Sequence, residues 1–212
     1  MKKVQTNYYN LSRTDVVSFV PLNITTILDI GCSQGAFLKL VKEQTGAETW
    51  GIELLPEIAE KAKDNADHIL VGKIEEILNL IPDNYFDCIT FNDVLEHLVE
   101  PTEVLKLIKP KLTRKGIVIA SIPNVRYIDN LYNLLVKKEW EYKDSGILDS
   151  THLRFFTRKS MSRMFVQAGY KKTEHIGINE LKSLKFKLFN LFTLLFFDDT
   201  KYFQILFIAS KN

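Results

Sequence analysis

Two acidic side chains at the ends of apolar runs are the first residues whose types and spacing suggest chemistry. Asp29 opens the segment DIGCSQG, and Glu53 ends the next apolar run 24 positions later. Gly31 and Gly35 allow a tight turn and a close approach of the backbone to a ligand. Asp29 would repel a pyrophosphate but can accept hydrogen bonds from an ammonium group, and Glu53 can accept from both hydroxyls of a ribose. The pair predicts a nucleoside ligand that carries an ammonium group.

A nicotinamide-dependent reductase is the competing interpretation of this loop. Gly31, Ser33 and Ala36 imitate a degraded G-x-G-x-x-G/A fingerprint. The second glycine, which lets the backbone approach a pyrophosphate, is missing, and Asp29 places a negative charge there. S-adenosylmethionine, which has an ammonium group and no phosphate, is therefore favoured.

A second candidate centre follows the fourth apolar run, where residues 91–98 read FNDVLEHL. His97 has a side chain that titrates near neutral pH and can act as a general base. The alternative is that His97 only orients the segment behind the strand, with Asp93 or Glu96 as its partner. His152, in the later stretch DSTHLRFFT, is a second candidate for proton transfer.

Polar side chains after the fifth apolar run are candidates for binding an acceptor molecule. Asn124 and Arg126 follow that run, and Arg154 lies in the stretch that contains the second histidine. Arginines offer planar, bidentate donors that suit phosphate or carboxylate, which favours a nucleotide-sugar or phosphorylated glycan. The alternative is that the two arginines pair with the nearby acidic residues Asp129 and Asp149.

Alternating apolar runs and helix-length segments indicate which elements position these residues. The pattern predicts βαβ crossovers and one open, doubly wound, mostly parallel sheet in a single domain over residues 1–212. Thr157 is expected to cap a helix that runs to Ala168, and residues 123–156 are expected to form an inserted helical lid. The predicted strands are Thr26–Ile30, Thr49–Leu54, His68–Val71, Phe86–Asn92, Gly116–Ile122, Lys172–Ile178 and Tyr202–Ala209.

On these motifs the chain resembles the class I S-adenosylmethionine-dependent methyltransferases from about Ile27 to Ala209. The resemblance implies a Rossmann-like, seven-stranded sheet whose last strand is antiparallel, with the methionine part of the cofactor at the family's D-x-G-x-G-x-G loop. Ser33 stands where the family has its middle glycine. The later loops are similar to those of methyltransferases associated with bacterial surface polysaccharides. The implied cofactor residues are Asp29, Gly31, Cys32, Gly35, Glu53 and Asn92. The family usually has an acidic residue after the third strand for the adenine amino group, but this chain has Lys73 there. The backbone of Lys73 and Ile74, with apolar packing from Leu54, is therefore expected at the adenine instead.

The resemblance implies methyl transfer to a small hydroxylated acceptor, with a sugar, nucleotide-sugar or glycan favoured. A quinone O-methyltransferase and a non-catalytic cofactor-binding or interaction protein are the alternatives. Some quinone O-methyltransferases bind magnesium through residues that would correspond to Asp93, Glu96 and His97. Magnesium prefers oxygen ligands, so no metal is expected.

Composition and the remaining segments limit the partners. The 28 basic and 26 acidic residues give a net charge of +2, so no nucleic acid is expected. Cys32 and Cys88 form no disulfide framework and no signal peptide opens the chain, which predicts a cytoplasmic protein. The apolar segment 181–197 allows core packing, a homodimer interface or shallow insertion at the inner membrane surface. Of these three, core packing is the expectation.

Overall fold

The computed structural model describes residues 13–211, which include one seven-stranded sheet in the order β3-β2-β1-β4-β5-β7-β6. Strands β1 to β5 are parallel, and β7 is antiparallel to both of its neighbours, β5 and β6. The strands are β1 (Thr26–Ile30), β2 (Glu48–Glu53), β3 (His68–Val71), β4 (Phe86–Asn92), β5 (Leu112–Pro123), β6 (Lys172–Glu180) and β7 (Tyr202–Ser210). The expected doubly wound, mostly parallel sheet with an antiparallel last strand is confirmed.

Eight α-helices connect or flank these strands in the described part of the chain. They are α1 (Thr14–Val17), α2 (Ala36–Thr45), α3 (Pro56–Ala62), α4 (Ile74–Ile77), α5 (Pro101–Ile108), α6 (Ile128–Tyr132), α7 (Arg158–Gln167) and α8 (Leu184–Phe192). Helix α6 continues as a π-helix over Asn133–Lys137. Prolines begin α3 and α5, where a missing N–H costs nothing.

The core forms two layers because successive strand residues point to opposite faces of the sheet. In β1, Leu28 and Ile30 face the layer that contains α5 and α7, whereas Ile27 faces the layer of α1 and α2. Leu105 and Phe165 are fully buried in the first layer. The two layers bury both faces of the parallel strands, so polar side chains reach solvent chiefly at the strand ends.

Helix α7 begins with the N-cap that the sequence predicts. The Thr157 hydroxyl accepts a hydrogen bond from Ser160 N at 3.2 Å, and Ser160 Oγ accepts one from Thr157 N at 2.9 Å. This reciprocal capping box satisfies two N–H groups that would otherwise lack partners. Gly169, with φ of 86°, follows the end of the helix.

The T157A substitution is expected to lower the free energy of unfolding by about 1 kcal/mol, because it removes the capping hydroxyl. Urea unfolding at constant pH measures the change. The control is S162A, which removes a hydroxyl from the middle of the same helix, where alanine is the better helix former. Equal losses in the two variants would contradict the capping role.

The apolar segment 181–197 does not pack as expected. Phe186 and Asn190 of α8 are buried, but Leu191, Phe192 and Leu194 are 65%, 85% and 90% exposed. The expectation of core packing is therefore wrong for most of this segment, because only one narrow face of α8 is buried. No helix within residues 13–211 is both long and apolar enough to cross a bilayer.

Candidate functional site

The turn between β1 and α2 is shaped by three residues in the left-handed region. Gly31, Ser33 and Gly35 have φ angles of 76°, 52° and 77°. A Cβ on Gly31 would lie 2.6 Å from Cγ2 of Val94, so no larger residue fits there without displacing that side chain. The N–H of Gly31 donates to Ile52 O at 2.8 Å, which fixes the turn against β2. Ser33, which stands where the family has its middle glycine, is thus also in the left-handed region.

Asp29 is buried at the carboxyl end of β1, with 2% of its surface exposed. Its Oδ1 accepts from Thr90 Oγ1 at 2.6 Å and from Asn92 Nδ2 at 3.2 Å. Burial raises the pKa of Asp29 to about 7, against the opposing effects of these two hydrogen bonds and of the positive charge on Arg13. A cation placed against this carboxyl group would stabilise its charged form.

Glu53, at the end of β2, holds the same turn with both of its carboxylate oxygens. Oε2 accepts from Ser33 N at 2.9 Å, and Oε1 accepts from Leu55 N at 3.0 Å. The side chain is 7% exposed. Each oxygen has a second lone pair, so the carboxylate can still accept from a pair of ligand hydroxyls.

The side chain of Asn92 presents a hydrogen-bond acceptor next to Asp29. Its Oδ1 is buried and has no hydrogen-bond partner among residues 13–211. An unsatisfied buried acceptor is costly, so its position beside an acidic side chain indicates a place for a ligand donor. The ammonium group of S-adenosylmethionine has the required chemistry, and these residues fit that cofactor.

Arg13 lies in the same site as Asp29 and Asn92, and it was not predicted from the sequence. Its Nη1 contacts Asp93 Oδ2, and its Nε donates to Asp15 Oδ1 at 3.1 Å. Gln204 Nε2 donates to the other oxygen of Asp93, whose φ of 55° is left-handed. Burial raises the pKa of Asp93 despite Arg13. No local pattern could reveal this cluster, because its members come from three distant parts of the chain.

His97 and His152 lie together, with their ring centroids 4.7 Å apart. Nδ1 of His97 lies 3.2 Å from Thr151 O, and Nδ1 of His152 lies 2.9 Å from Ile147 O. If each Nδ1 carries the proton that these carbonyls accept, each Nε2 has a free lone pair. Burial and the neighbouring His152 lower the pKa of His97, so its ring is neutral at pH 7. The pair can accept a proton.

Glu96, next to His97, connects the end of β4 to the segment that contains His152. Its backbone oxygen accepts from Leu153 N at 2.9 Å and from Arg154 N at 3.0 Å. Its side chain is 1% exposed, and neither carboxyl oxygen has a hydrogen-bond partner in the described part of the chain. Burial and the nearby Asp93 raise its pKa well above the usual value, which favours the neutral acid.

The structure brings together a different set of possible metal ligands from the set implied by the quinone methyltransferases. Asp93 forms an ion pair with Arg13. In contrast, potential ligand atoms of Glu96, His97 and His152 lie within 4.8 Å of one another. A metal there would require Glu96 to lose its proton. The described residues therefore offer one carboxyl group and two imidazoles.

Asn124 is not positioned to bind an acceptor, which corrects the sequence-based prediction. It is fully buried, and its Nδ2 donates to Asp199 O at 2.9 Å and to Tyr202 O at 3.0 Å. Its Oδ1 accepts from Arg126 N at 3.1 Å. These bonds occupy the amide, so Asn124 anchors the start of the inserted segment to the chain before β7.

The two arginines have partners other than the acidic residues nearest in sequence. Arg126 Nε donates to Asp199 Oδ2 at 2.7 Å, not to Asp129. Arg154 Nη2 donates to Val99 O at 2.7 Å, not to Asp149. The side chains are 34% and 46% exposed. Both guanidinium groups therefore keep surface on which an acceptor could bind.

The remaining predicted cofactor residues differ in which of their groups are accessible to a ligand. The Cys32 thiol is buried in the core, and the Cys32 N–H donates to Ile52 O at 2.9 Å, so its contact with a cofactor is not supported. Leu54 is 55% exposed beside Glu53. The Ile74 side chain is buried, which leaves only its backbone for a ligand. The adenine contacts of Leu54, Lys73 and Ile74 stay predictions.

Comparison with known proteins identifies the family. Residues 9–175 match the family model described as "Methyltransferase domain". The chain is 26% identical over 166 residues to the ubiquinone biosynthesis O-methyltransferase of Psychrobacter arcticus, and the match covers 72% of this chain and 62% of that protein. It is 32% identical over 101 residues to the mitochondrial enzyme of the same name from Schizosaccharomyces pombe, which covers 45% and 36%. The matched region is thus less than two thirds of either relative.

The fold is also similar to that of solved methyltransferase structures. A SAM-dependent methyltransferase from Archaeoglobus fulgidus superimposes with a TM-score of 0.74 at 18% identity, over 95% of this chain and 94% of that one. This likeness shows the fold, and the family match covers most of the chain. The chain therefore belongs to the methyltransferase domain family, with the fold and the cofactor loop of an S-adenosylmethionine-dependent methyltransferase.

Proposed function

We propose that this protein transfers a methyl group from S-adenosylmethionine to a hydroxyl group of a small acceptor, with His97 as the general base. The observation that carries this proposal is the His97–His152 pair, in which His97 follows the same strand end as Asn92. A neutral imidazole with a free Nε2 is suited to accept the hydroxyl proton.

S-adenosylmethionine supplies an electrophilic methyl group on a positively charged sulfur. In the proposal, Asp29 and the free Oδ1 of Asn92 accept from the ammonium group, and Glu53 accepts from the ribose hydroxyls. Gly31 and Gly35 allow the backbone to approach the ligand. Methyl transfer then requires alignment of the acceptor oxygen and exclusion of water.

A sugar, nucleotide-sugar or glycan is the favoured acceptor because Arg126 and Arg154, both in the inserted segment 123–156, are partly exposed. A quinone-type acceptor is the second candidate, and the names of the two ubiquinone biosynthesis O-methyltransferase relatives favour it. The third candidate, a non-catalytic protein that binds the cofactor, predicts no transfer to either class. Lysine at both arginine positions should weaken only an anionic acceptor.

The experiment is transfer of a labelled methyl group to panels of nucleotide-sugars, phosphorylated glycans and catechol-type quinols. With a productive acceptor, H97Q is expected to lower kcat by about 10²- to 10⁴-fold, the usual contribution of a general base. The matched control is H175Q, which changes a histidine on β6, at the far edge of the sheet. Cofactor affinity should be unchanged in both variants. Full activity of H97Q would contradict its role as the base.

Cofactor affinity is expected to depend on the protonation of Asp29. The unliganded carboxyl group has a pKa of about 7, and the ammonium group binds only the charged form. Affinity should therefore fall about tenfold per pH unit below pH 7 and level off above it. Calorimetry with S-adenosylhomocysteine between pH 5.5 and about 7.5, below the titration of the ligand amine, measures this. A flat profile would exclude Asp29 as the ammonium partner.

A further inference from the structure

An apolar surface formed by α8 and the turn after it is not used by the proposed site. We call it the apolar patch and define it by seven large side chains with exposed fractions between 50% and 90%. They are Leu184, Leu188, Leu191, Phe192, Leu194, Leu195 and Phe196. Large contiguous apolar surfaces on soluble domains mark contacts with another molecule.

The protein holds this patch outward through a few contacts on the opposite face of α8. Phe186 and Asn190, which lie one helical turn apart, are buried. Asn190 Nδ2 donates to Asp198 Oδ1 at 3.1 Å, and the ring of Phe189 packs 5.3 Å from that of Phe197. These contacts fix the helix on the domain, so the exposed leucines and phenylalanines occupy a defined face.

The backbone of the turn after α8 supports a functional interpretation of the exposure. Leu194 and Leu195 both have left-handed φ angles, 52° and 61°. Such conformations cost bulky residues free energy and persist where the surroundings impose them. The turn is closed by a hydrogen bond from Leu195 N to Asn190 O at 2.8 Å. This strained geometry places the Leu194 side chain almost completely in solvent.

Charge distinguishes between possible partners. Lys182, Lys185 and Lys187 are exposed at the start of the segment, and among the described residues none of them forms an ion pair. Residues 181–197 contain no acidic side chain. The acidic residues that flank the segment are already paired: Glu180 and Asp198 with Lys201, and Asp199 with Arg126. The patch is thus bordered by uncompensated positive charge.

We infer that the apolar patch docks on the surface of an anionic lipid bilayer, with the phenylalanines and leucines at the headgroup boundary and the lysines on the headgroups. A short helix with an apolar face and adjacent lysines has the properties of an interfacial anchor. A second copy of this chain fits less well, because each patch would bring three lysines to a surface that has no acidic side chain. Docking would place the end of the sheet that carries Arg126 and Asp199 near the membrane.

Vesicle flotation tests the inference with the full chain. Vesicles of 70% phosphatidylcholine and 30% phosphatidylglycerol should bind on the order of 100-fold more tightly than pure phosphatidylcholine, since each lysine adds about fivefold near an anionic surface. Raising the salt concentration should weaken binding. The F192S/F196S double variant is expected to lose at least about tenfold in partitioning, as is the K182Q/K185Q/K187Q variant.

The control is L22S/V166S, which removes two apolar side chains of similar exposure elsewhere on the protein. It should bind vesicles like the unchanged protein, and cofactor affinity should be the same in all three variants. Absence of binding to anionic vesicles at low salt would overturn the inference, as would equal binding by F192S/F196S. Reversible dimerisation without lipid that F192S/F196S abolishes would assign the patch to a second copy instead.

Discussion

Replacement of Asp29 by asparagine is expected to weaken S-adenosylmethionine binding by at least about 100-fold, since it removes a charged partner of the ammonium group. The same change should leave the unliganded protein at least as stable as before. Both protein hydrogen bonds to the carboxyl group end on Oδ1, which asparagine retains. The substitution therefore removes a buried charge without removing the contacts that hold the strand ends together.

The stability effect should depend on pH in a defined direction. The pKa of Asp29 is raised from 3.8 to about 7 in the folded protein, so the folded state binds this proton more tightly than the unfolded state. Stability linked to Asp29 is complete below pH 3.8, decreases as pH rises, and is lost above about 7. D29N should thus exceed the unchanged protein in stability by about 4 kcal/mol at pH 8, and the difference should narrow to about 1–2 kcal/mol at pH 5.

Urea unfolding at these two pH values and calorimetry with the cofactor measure the two effects separately. The matched control is D87N on β4, whose carboxylate accepts from Thr25 N at 2.8 Å and has a lowered pKa. D87N should lose stability and keep its affinity for the cofactor. Loss of both stability and affinity in D29N would show a structural role for Asp29 and contradict the ammonium contact.

Glu53→Gln is expected to have the second largest effect and the opposite effect on stability. Ser33 N and Leu55 N donate to different oxygens of the Glu53 carboxylate, so one of them would face the amide NH₂ of glutamine. Leaving a buried donor without a partner should lower the free energy of unfolding by about 1–3 kcal/mol. Cofactor affinity should fall about 10- to 100-fold, because the ribose contacts and the turn change together.

Binding of S-adenosylhomocysteine and of its 2′-deoxy analogue separates these two contributions. The unchanged protein should prefer the natural ribose, and E53Q should prefer it less. E48Q, at the opposite end of β2, is the control, since Glu48 contacts Tyr85 and Trp50 and lies away from the turn. If E53Q preferred the natural ribose over the 2′-deoxy ribose as strongly as the unchanged protein, the ribose contact of Glu53 would be contradicted. The role of Glu53 in the turn would not be affected by that result.

Several features of this protein were determined by the sequence alone. The alternation of apolar runs with helix-length segments predicted all seven strands to within a few residues, because hydrophobic periodicity is a local property. The largest difference is β5, which begins at Leu112 rather than Gly116. Thr157 and Gly169 marked the ends of α7 through local hydrogen bonding and φ preference. The order of Asp29, the glycine turn and Glu53 likewise indicated the methyltransferase family, because that motif consists of residue types at fixed spacing.

Only the tertiary structure decided which side chains meet across the sheet. It joined Arg13 to Asp93, brought His152 to His97, and gave Arg126 a partner 73 residues away. It also buried Asn124 and exposed the apolar patch, both against expectation. The physical reason is that the residue type fixes which groups a side chain can bind. Which of those groups lie within contact distance is fixed by the pairing of the strands and the packing of the inserted segments.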